Sequence, residues 1–272
     1  DTCYLRGGFD DASLDPIQQR FSDGDVERWA TRAEKVATTN PDVVVGAAIH
    51  SVRAVDEASM EFVASWARVR GVPLHVHLSE QPAENEACIS ATGRTPTQLA
   101  HDHGVLGPST TAVHCTHVTA DDIALLGSTG TTVCLCPTTE RDLGDGVGPA
   151  AALASAGCPI RVGTDSHAIV DLFEEARAIE LDERLVTGRR GLHQPDALLA
   201  AALGSTDRVA IDLDSVRLAG FDPNDPVPMI VAAATAADVT DVEIDGRPVV
   251  QDRAHLSIDV AADLRASICA LR

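Results

Sequence analysis

His77 and Glu80 stand three residues apart where the short apolar run LHVHL gives way to polar residues. An imidazole at the end of such a run can ligate a metal ion. A carboxylate three residues on can carry a proton to and from the same substrate. Taken alone, the HxxE spacing is a weak signal. His75 lies on the same face as His77, two residues deeper, where a hydrogen-bonded core histidine is expected. His114 and His117 follow a second apolar run, and Asp165 follows Gly163-Thr164 at the end of another. Either histidine could point into a site, though His117 better suits the start of a helix, and an Asp after a strand commonly caps one. Together, a His, a Glu, a second His and an Asp at neighbouring run ends form a much stronger pattern. Imidazole combined with carboxylate suits zinc or another divalent ion such as iron. Such an ion lowers the pKa of bound water to about 7. His50 and Arg53 close an earlier run and could hold a carboxylate; a plain surface arginine is the competing reading. The stretch TTERDLGDG, 138–146, is polar and contains glycines; a phosphate loop would need a following helix start and a lysine, and the stretch lacks that lysine, so nucleotide binding there is rejected.

These residues need elements to hold them. Apolar runs at 2–5, 43–49, 74–78, 111–115, 131–136 and 159–163 read as six strands. Helical patterns separate them, and Ser22 with Asp25, Asp56 and Gly71 supply start and stop signals. Strands alternating with helices imply parallel βαβ units. Runs that are apolar throughout imply strands covered on both faces. Polar residues follow at least five of the six, which favours a (β/α)₈ barrel over a doubly wound sheet. The barrel is expected over residues 1–205, and only six of its eight units are present. Residues 206–272 read as a small β domain, part of a β-sandwich, with an Asp245-Gly246 hairpin turn and a closing helix over 260–271.

The chain has 272 residues and a net charge of −20, and Lys35 is its one lysine. That charge argues against nucleic acid and anionic membrane surfaces as partners. It fits equally a salt-adapted surface and a highly charged soluble one. Seven cysteines without a CxxC pair suggest reduced buried thiols and a cytoplasmic protein. No run approaches the ~18 apolar residues of a membrane span, and no signal peptide is evident. The first residue is Asp1, already within strand-like sequence, so a beginning is expected to be missing.

The segments IHSVRAV (49–55), VHLSEQ (76–81), VHCTH (113–117), CPTTERDLGDG (136–146) and GTDSH (163–167) resemble, in this order, the metal-dependent amidohydrolase superfamily. Within it the resemblance is to the formimidoylglutamate deiminases, through the HSxRAV and TTE..LGDG stretches. It implies a TIM-type barrel whose third to eighth strands are those present. It also implies His77 and Asp165 as metal ligands, with Asp165 as general base and Glu80 as proton shuttle. His114 would hydrogen-bond the attacking hydroxide and the developing tetrahedral centre. His50 and Arg53 would clamp the substrate's carboxylates. Because the protein is itself anionic, long-range steering of such a substrate is unfavourable, and a local bidentate arginine is needed.

Two departures stand out. The superfamily's HxH pair, which supplies two more metal ligands, does not precede Ser51. Arg141-Asp142 replaces the Ala-Asn usual after TTE, a charge expected to bear on substrate choice. The implied reaction converts N-formimino-L-glutamate and water into N-formyl-L-glutamate and ammonia. The rivals are a superfamily deaminase acting on a purine or guanidino compound, and an inert chain lacking its HxH ligands. A small-molecule substrate is the expected partner, with no nucleic acid and no membrane, and a homodimer is compatible with the sequence.

Overall fold

The computed structural model describes residues 1–10, 12–40, 43–203 and 207–271. The first sheet is built from β1 (Thr2–Cys3), β2 (Ala47–Ser51), β3 (Leu74–Leu78), β4 (Thr110–His114), β5 (Thr132–Leu135) and β6 (Ile160–Val162). They lie in sequential order and every neighbouring pair is parallel. The helices between them are α1 (Val26–Thr39), α2 (Glu57–Arg70), α3 (Pro82–Thr92), α4 (Pro96–Asp102), α5 (Ala120–Thr129), α6 (Pro137–Leu143) and α7 (Ala150–Ser155); α8 (Leu172–Thr187) and α9 (Pro195–Ala202) follow β6. This is the expected run of β/α units from a TIM-type barrel. Among the described residues β1 and β6 do not pair, so the six strands form an arc rather than a closed ring.

Local signals explain most boundaries. Asp56 accepts from the Ser59 N–H at the start of α2, and Gly71, at φ 64°, ends it in the left-handed conformation that glycine adopts without strain. Helix α1 starts at Val26 with Asp25 as its cap, three residues later than a cap at Ser22 would place it. The run 43–49 is only half strand. Val43 and Val44 are exposed and the ladder begins at Ala47, opposite Leu74, because strand needs a partner as well as β-branched residues. Pro137 stops β5 and is also the first residue of α6, where a missing N–H costs nothing.

The sheet's outer face is covered by helices. Ile49, Val76, Leu78, Ala112, Val133 and Leu135 are buried there, continuous with Met60, Val63 and Trp66 of α2 and Trp29 of α1. Trp29 and Trp66 meet edge to face with ring centroids 5.2 Å apart, worth about 0.5–1.5 kcal/mol beyond the area they bury. The inner face is different. His50, His77, Val113 and Cys134 are only half-buried. His75 is exposed on that face, so it is not the satisfied core histidine expected of it; an arc leaves inward residues without an opposing wall. Five of the seven cysteines are buried and all seven are free thiols.

The remainder forms a second, antiparallel sheet of β7 (Arg208–Ile211), β8 (Val239–Ile244), β9 (Arg247–Gln251) and β10 (Ala254–His255), ordered β10-β9-β8-β7. Helix α10 (Val227–Ala233) precedes β8. The expected boundary between 205 and 206 falls among residues 204–206, outside the described ones. The Asp245-Gly246 turn is present, with φ 49° and 74°. Buried Asp238 receives both arms of Arg217, at 2.9 and 2.6 Å. Helix α11 (Val260–Ala270) forms as expected but closes nothing: none of its residues is buried, and Val260, Leu264 and Ile268 present one exposed apolar stripe. Among the described residues no helix is long and apolar enough to cross a membrane.

Candidate active site

The carboxyl ends of β2, β3, β4 and β6 converge on one group of side chains. His77, at the penultimate position of β3, stacks on His114 at 5.5 Å and meets the edge of His50 at 5.2 Å. His77 Nδ1 lies 2.7 Å from the carbonyl of His50. A carbonyl only accepts, so Nδ1 carries the hydrogen and Nε2 keeps its lone pair for a ligand. His114 is 1% exposed; its Nε2 lies 3.6 Å from Glu80 Oε1 and 3.9 Å from Asp165 Oδ2. One ligand atom from each of His77, His114 and Asp165 can be chosen so that all lie within 4.8 Å of one another. Two imidazoles and a carboxylate at that spacing, one imidazole fixed in the ligating tautomer, fit three corners of a zinc site. His114 therefore stands with the potential ligands.

The backbone around this group is unusual. Ser79, His114, Cys115, Asp165 and His167 all have positive φ, between 39° and 72°, although none is glycine. Such left-handed residues cost about 1–2 kcal/mol each. They turn the chain sharply as it leaves β3, β4 and β6, which aims His114 and Asp165 at the same space.

A cavity of about 170 Å³ opens beside the cluster, lined among others by His50, Arg53, His77, Glu80, Gln81 and Glu84. The proposed shuttle and the proposed clamp thus share one space. Arg53 donates one N–H to the Gly7 carbonyl at 3.4 Å. His50 is not a second cation. Burial first, then His77 and Arg53, push its pKa down to about 4, so at neutral pH it stands in the cavity as a neutral ring. His77 is lowered too, mainly by burial. For His114 burial acts to lower the pKa, but the Glu140 hydrogen bond and the Glu80, Glu140 and Asp165 charges outweigh it and raise it.

Three carboxylates at this site were given no role in the sequence reading, although Glu140 and Asp145 lie in the TTERDLGDG stretch it singled out. Glu140, 3% exposed, brings Oε1 to 3.3 Å from His114 Nδ1 while accepting from the Cys136 N–H. It fixes the ring from behind. Glu84 accepts from the Glu80 N–H at 3.1 Å, and burial raises its pKa to about 7. Its place four residues beyond Glu80, on the first turn of α3, was the available signal. Asp145, 5% exposed, accepts from Gln81 Nε2 at 2.9 Å, and its carbonyl accepts from His117 Nε2 at 2.6 Å. His117 thus serves the backbone of 136–146 rather than starting a helix. Arg141 faces away, paired with Glu174 at 3.3 Å and Asp182 at 3.0 Å on α8, so its charge is taken up there and does not reach the cavity.

The sequence model of the amidohydrolase family matches residues 16–204. A 5-methylthioadenosine/S-adenosylhomocysteine deaminase of Halobacterium salinarum is 33% identical over 234 residues, which is 78% of this chain and 54% of that one. The formimidoylglutamate deiminase of Pseudomonas aeruginosa is 28% identical over 282 residues, 93% of this chain and 61% of that one. The crystal structure of an amidohydrolase from Brucella melitensis superposes with a TM-score of 0.85 at 27% identity, over 98% of this chain and 64% of that one. A zinc-bound adenosine deaminase from Xanthomonas campestris has the same fold, with a TM-score of 0.82 at 24% identity, over 98% of this chain and 64% of that one. The chain therefore spans about half to three fifths of the length of these curated relatives.

Proposed function

The chain belongs to the amidohydrolase family, and from that premise we propose that it is the larger part of a hydrolytic deiminase acting on N-formimino-L-glutamate. The observation that carries this reading is Arg53 in the same cavity as Glu80 and His77. A guanidinium beside a proton carrier suits a substrate whose carboxylate lies a few bonds from the nitrogen to be released. The match to a formimidoylglutamate deiminase over 93% of the chain supports it.

His77 and Asp165, with His114 beside them, are the residues that would hold a divalent ion, zinc first. Such an ion supplies water acidified to a pKa of about 7. Asp165 takes the proton of the attacking water. His114, held by Glu140 on its other side, hydrogen-bonds the attacking oxygen and the tetrahedral centre as it forms. Glu80 delivers a proton to the formimino nitrogen. It then takes the hydroxyl proton of the tetrahedral centre as Asp165 returns the water's proton to the same nitrogen. The C–N bond breaks, and ammonia leaves with both carboxyl groups restored. Arg53 holds a carboxylate of the substrate, with His50 as a neutral partner. Desolvation raises the Glu80 pKa above the usual carboxylate value, which suits a group that must arrive protonated.

The second reading is a deaminase of methylthioadenosine type, favoured by relatives at 33% and 32% identity. Glu84 beside Arg53 fits it, because a carboxylate there can accept from hydroxyls or an amine. Ammonia release from the zinc-loaded protein, in the longest natural form containing this chain, separates the two. N-formimino-L-glutamate is expected to be turned over and 5′-methylthioadenosine not. Arg53→Lys should raise KM for formiminoglutamate more than it lowers kcat, a loss of about 1.5–3 kcal/mol in kcat/KM. Faster release from methylthioadenosine, or an unchanged KM, would move the assignment to the second reading.

A further inference from the structure

We propose that Arg6 is a positioning residue for Arg53: its guanidinium gathers the carbonyls of the turn 52–55 and so sets where Arg53 stands in the wall of the cavity. The inference rests on the reading of Arg53 as the group that holds the substrate's carboxylate. Arg6 itself has no part in the mechanism above.

The turn needs such a donor. Ser51 ends β2, and α2 begins only at Glu57. Between them the N–H groups of Ala54 and Val55 both return to the Ser51 carbonyl, at 3.1 and 3.2 Å, and the Ser51 hydroxyl also accepts from the Ala54 N–H. The chain winds tightly and then stops before a helix can use the carbonyls that follow. Those of Val52, Arg53, Ala54 and Val55 all take donors from Leu5 and Arg6. Ala54 accepts from the two backbone N–H groups at 2.9 and 3.0 Å. The Arg6 side chain reaches the other three: Nε donates to Arg53 at 3.1 Å, and Nη2 to Val52 at 3.3 Å and Val55 at 3.5 Å. Val52, Ala54 and Val55 are fully buried, so carbonyls without donors would be costly there. A guanidinium suits the task because its N–H groups spread in one rigid fork.

The same short segment also holds the Arg53 side chain, through the Gly7 carbonyl at 3.4 Å. Gly7 is itself fixed. Its N–H donates to the Ala12 carbonyl at 2.8 Å, and an added Cβ would come within 3.0 Å of the Ala12 and Ser13 carbonyl oxygens. Residues 5–7 therefore grip Arg53 by its backbone and by its guanidinium. Arg53 is the half-buried member of the turn and lines the cavity with His50 and Glu80. Arg6 lines a separate, open groove with Asp25, Asp56 and Phe62. It thus acts on the cavity from behind the turn. A guanidinium already held in place spares the ordering cost that a loose arginine would incur when a carboxylate binds. Losing that hold should therefore show in binding rather than in the chemical step.

The test is a double-mutant cycle between Arg6 and Arg53. It uses the zinc-loaded protein, in the longest natural form containing this chain, and follows ammonia release from N-formimino-L-glutamate. Arg6→Met keeps an unbranched apolar stem but donates nothing. It is expected to raise KM about tenfold, with kcat within about twofold and metal content unchanged. In the Arg53→Met background it is expected to raise KM no further, because no guanidinium is left to place. The same rise in that background would mean that Arg6 supports something other than Arg53, and would overturn the inference. A raised KM in Arg53→Met beside an unaffected Arg6→Met would overturn this inference alone. An unchanged KM in Arg53→Met would overturn the reading of Arg53 and this inference with it. Arg6→Lys keeps the charge and can still reach one carbonyl, so a rise of about threefold is expected. Should Arg6→Met fail to fold, a parental KM in Arg6→Lys overturns the inference in its place. A crystal structure of Arg6→Met gives a readout without substrate: the Arg53 side chain should leave the Gly7 carbonyl, and an unmoved Arg53 would overturn the inference.

Discussion

The outer and inner faces of the six-stranded sheet come from the same residues taken alternately, yet they have opposite characters. On the outer face Ile49, Leu78 and Val133 are fully buried, and Val76 and Leu135 nearly so. On the inner face His50, His77 and Cys134 are half-buried, and His75 is exposed. One face is committed to packing against helices. The other has little to pack against, and so its side chains remain available for ligands and protons. Stability and chemistry are therefore separable along a strand at a spacing of one residue. Leu78 and His77 are neighbours that belong to different tasks.

Three measurements would break or sharpen that contrast. Leu78→Ala should destabilise the protein by about 2–5 kcal/mol in chemical denaturation, as for a large buried side chain removed from a close-packed core. A loss well below that range would mean the outer face is looser than its burial implies. His77→Ala should abolish the bound zinc seen by elemental analysis, while the metal-free variant unfolds within about 1 kcal/mol of the metal-free parent. Undiminished metal would remove His77 from the ligand set, and a large loss of stability would make it a packing residue after all. The third measurement reads pH dependence, through Glu84→Gln. The Glu84 pKa stands at about 7 against an ordinary 4.5, chiefly through burial. The folded protein then holds a proton that the unfolded chain has released, so stability declines as pH rises from about 4.5 to 7. Glu84→Gln should flatten that decline in denaturation midpoints across the window. An identical pH dependence in parent and variant would show the carboxyl to be freely solvated.

Strand order, the β/α alternation and the position of the site were legible because they follow from period and punctuation: LHVHL after Pro73, Asp56 and Gly71 around α2, polar residues after each run. The overreach at 43–46 has a physical cause. VVVG has strand propensity, but the adjacent ladder starts only where Leu74 stands opposite Ala47. His77, His114, Glu80 and Asp165 were visible as chemistry-bearing types at run ends, and the structure brings them together. Glu84, Glu140 and Asp145 were not, since an acidic residue on a helix turn or between glycines reads as solvated surface. Only tertiary packing buries them, and it does so around His114 and Glu80. Arg141 misled in the opposite direction. Its charge looked available to a substrate, but Glu174 and Asp182, more than thirty residues later, already take it up.

The left-handed residues at the strand ends bear on how this protein could change over time. Ser79, Cys115 and His167 sit in a conformation that glycine would adopt freely, and in the reading given above none of the three carries chemistry. Selection for heat resistance alone would push the exposed His167 toward glycine, while buried Ser79 and Cys115 would also lose packing by the change. His114 and Asp165 have no such exit, because the side chain is the reason the residue is there. The rim of the sheet is thus where adaptation to temperature and adaptation to substrate draw on the same few backbone angles, and a lineage cannot improve one there without constraining the other.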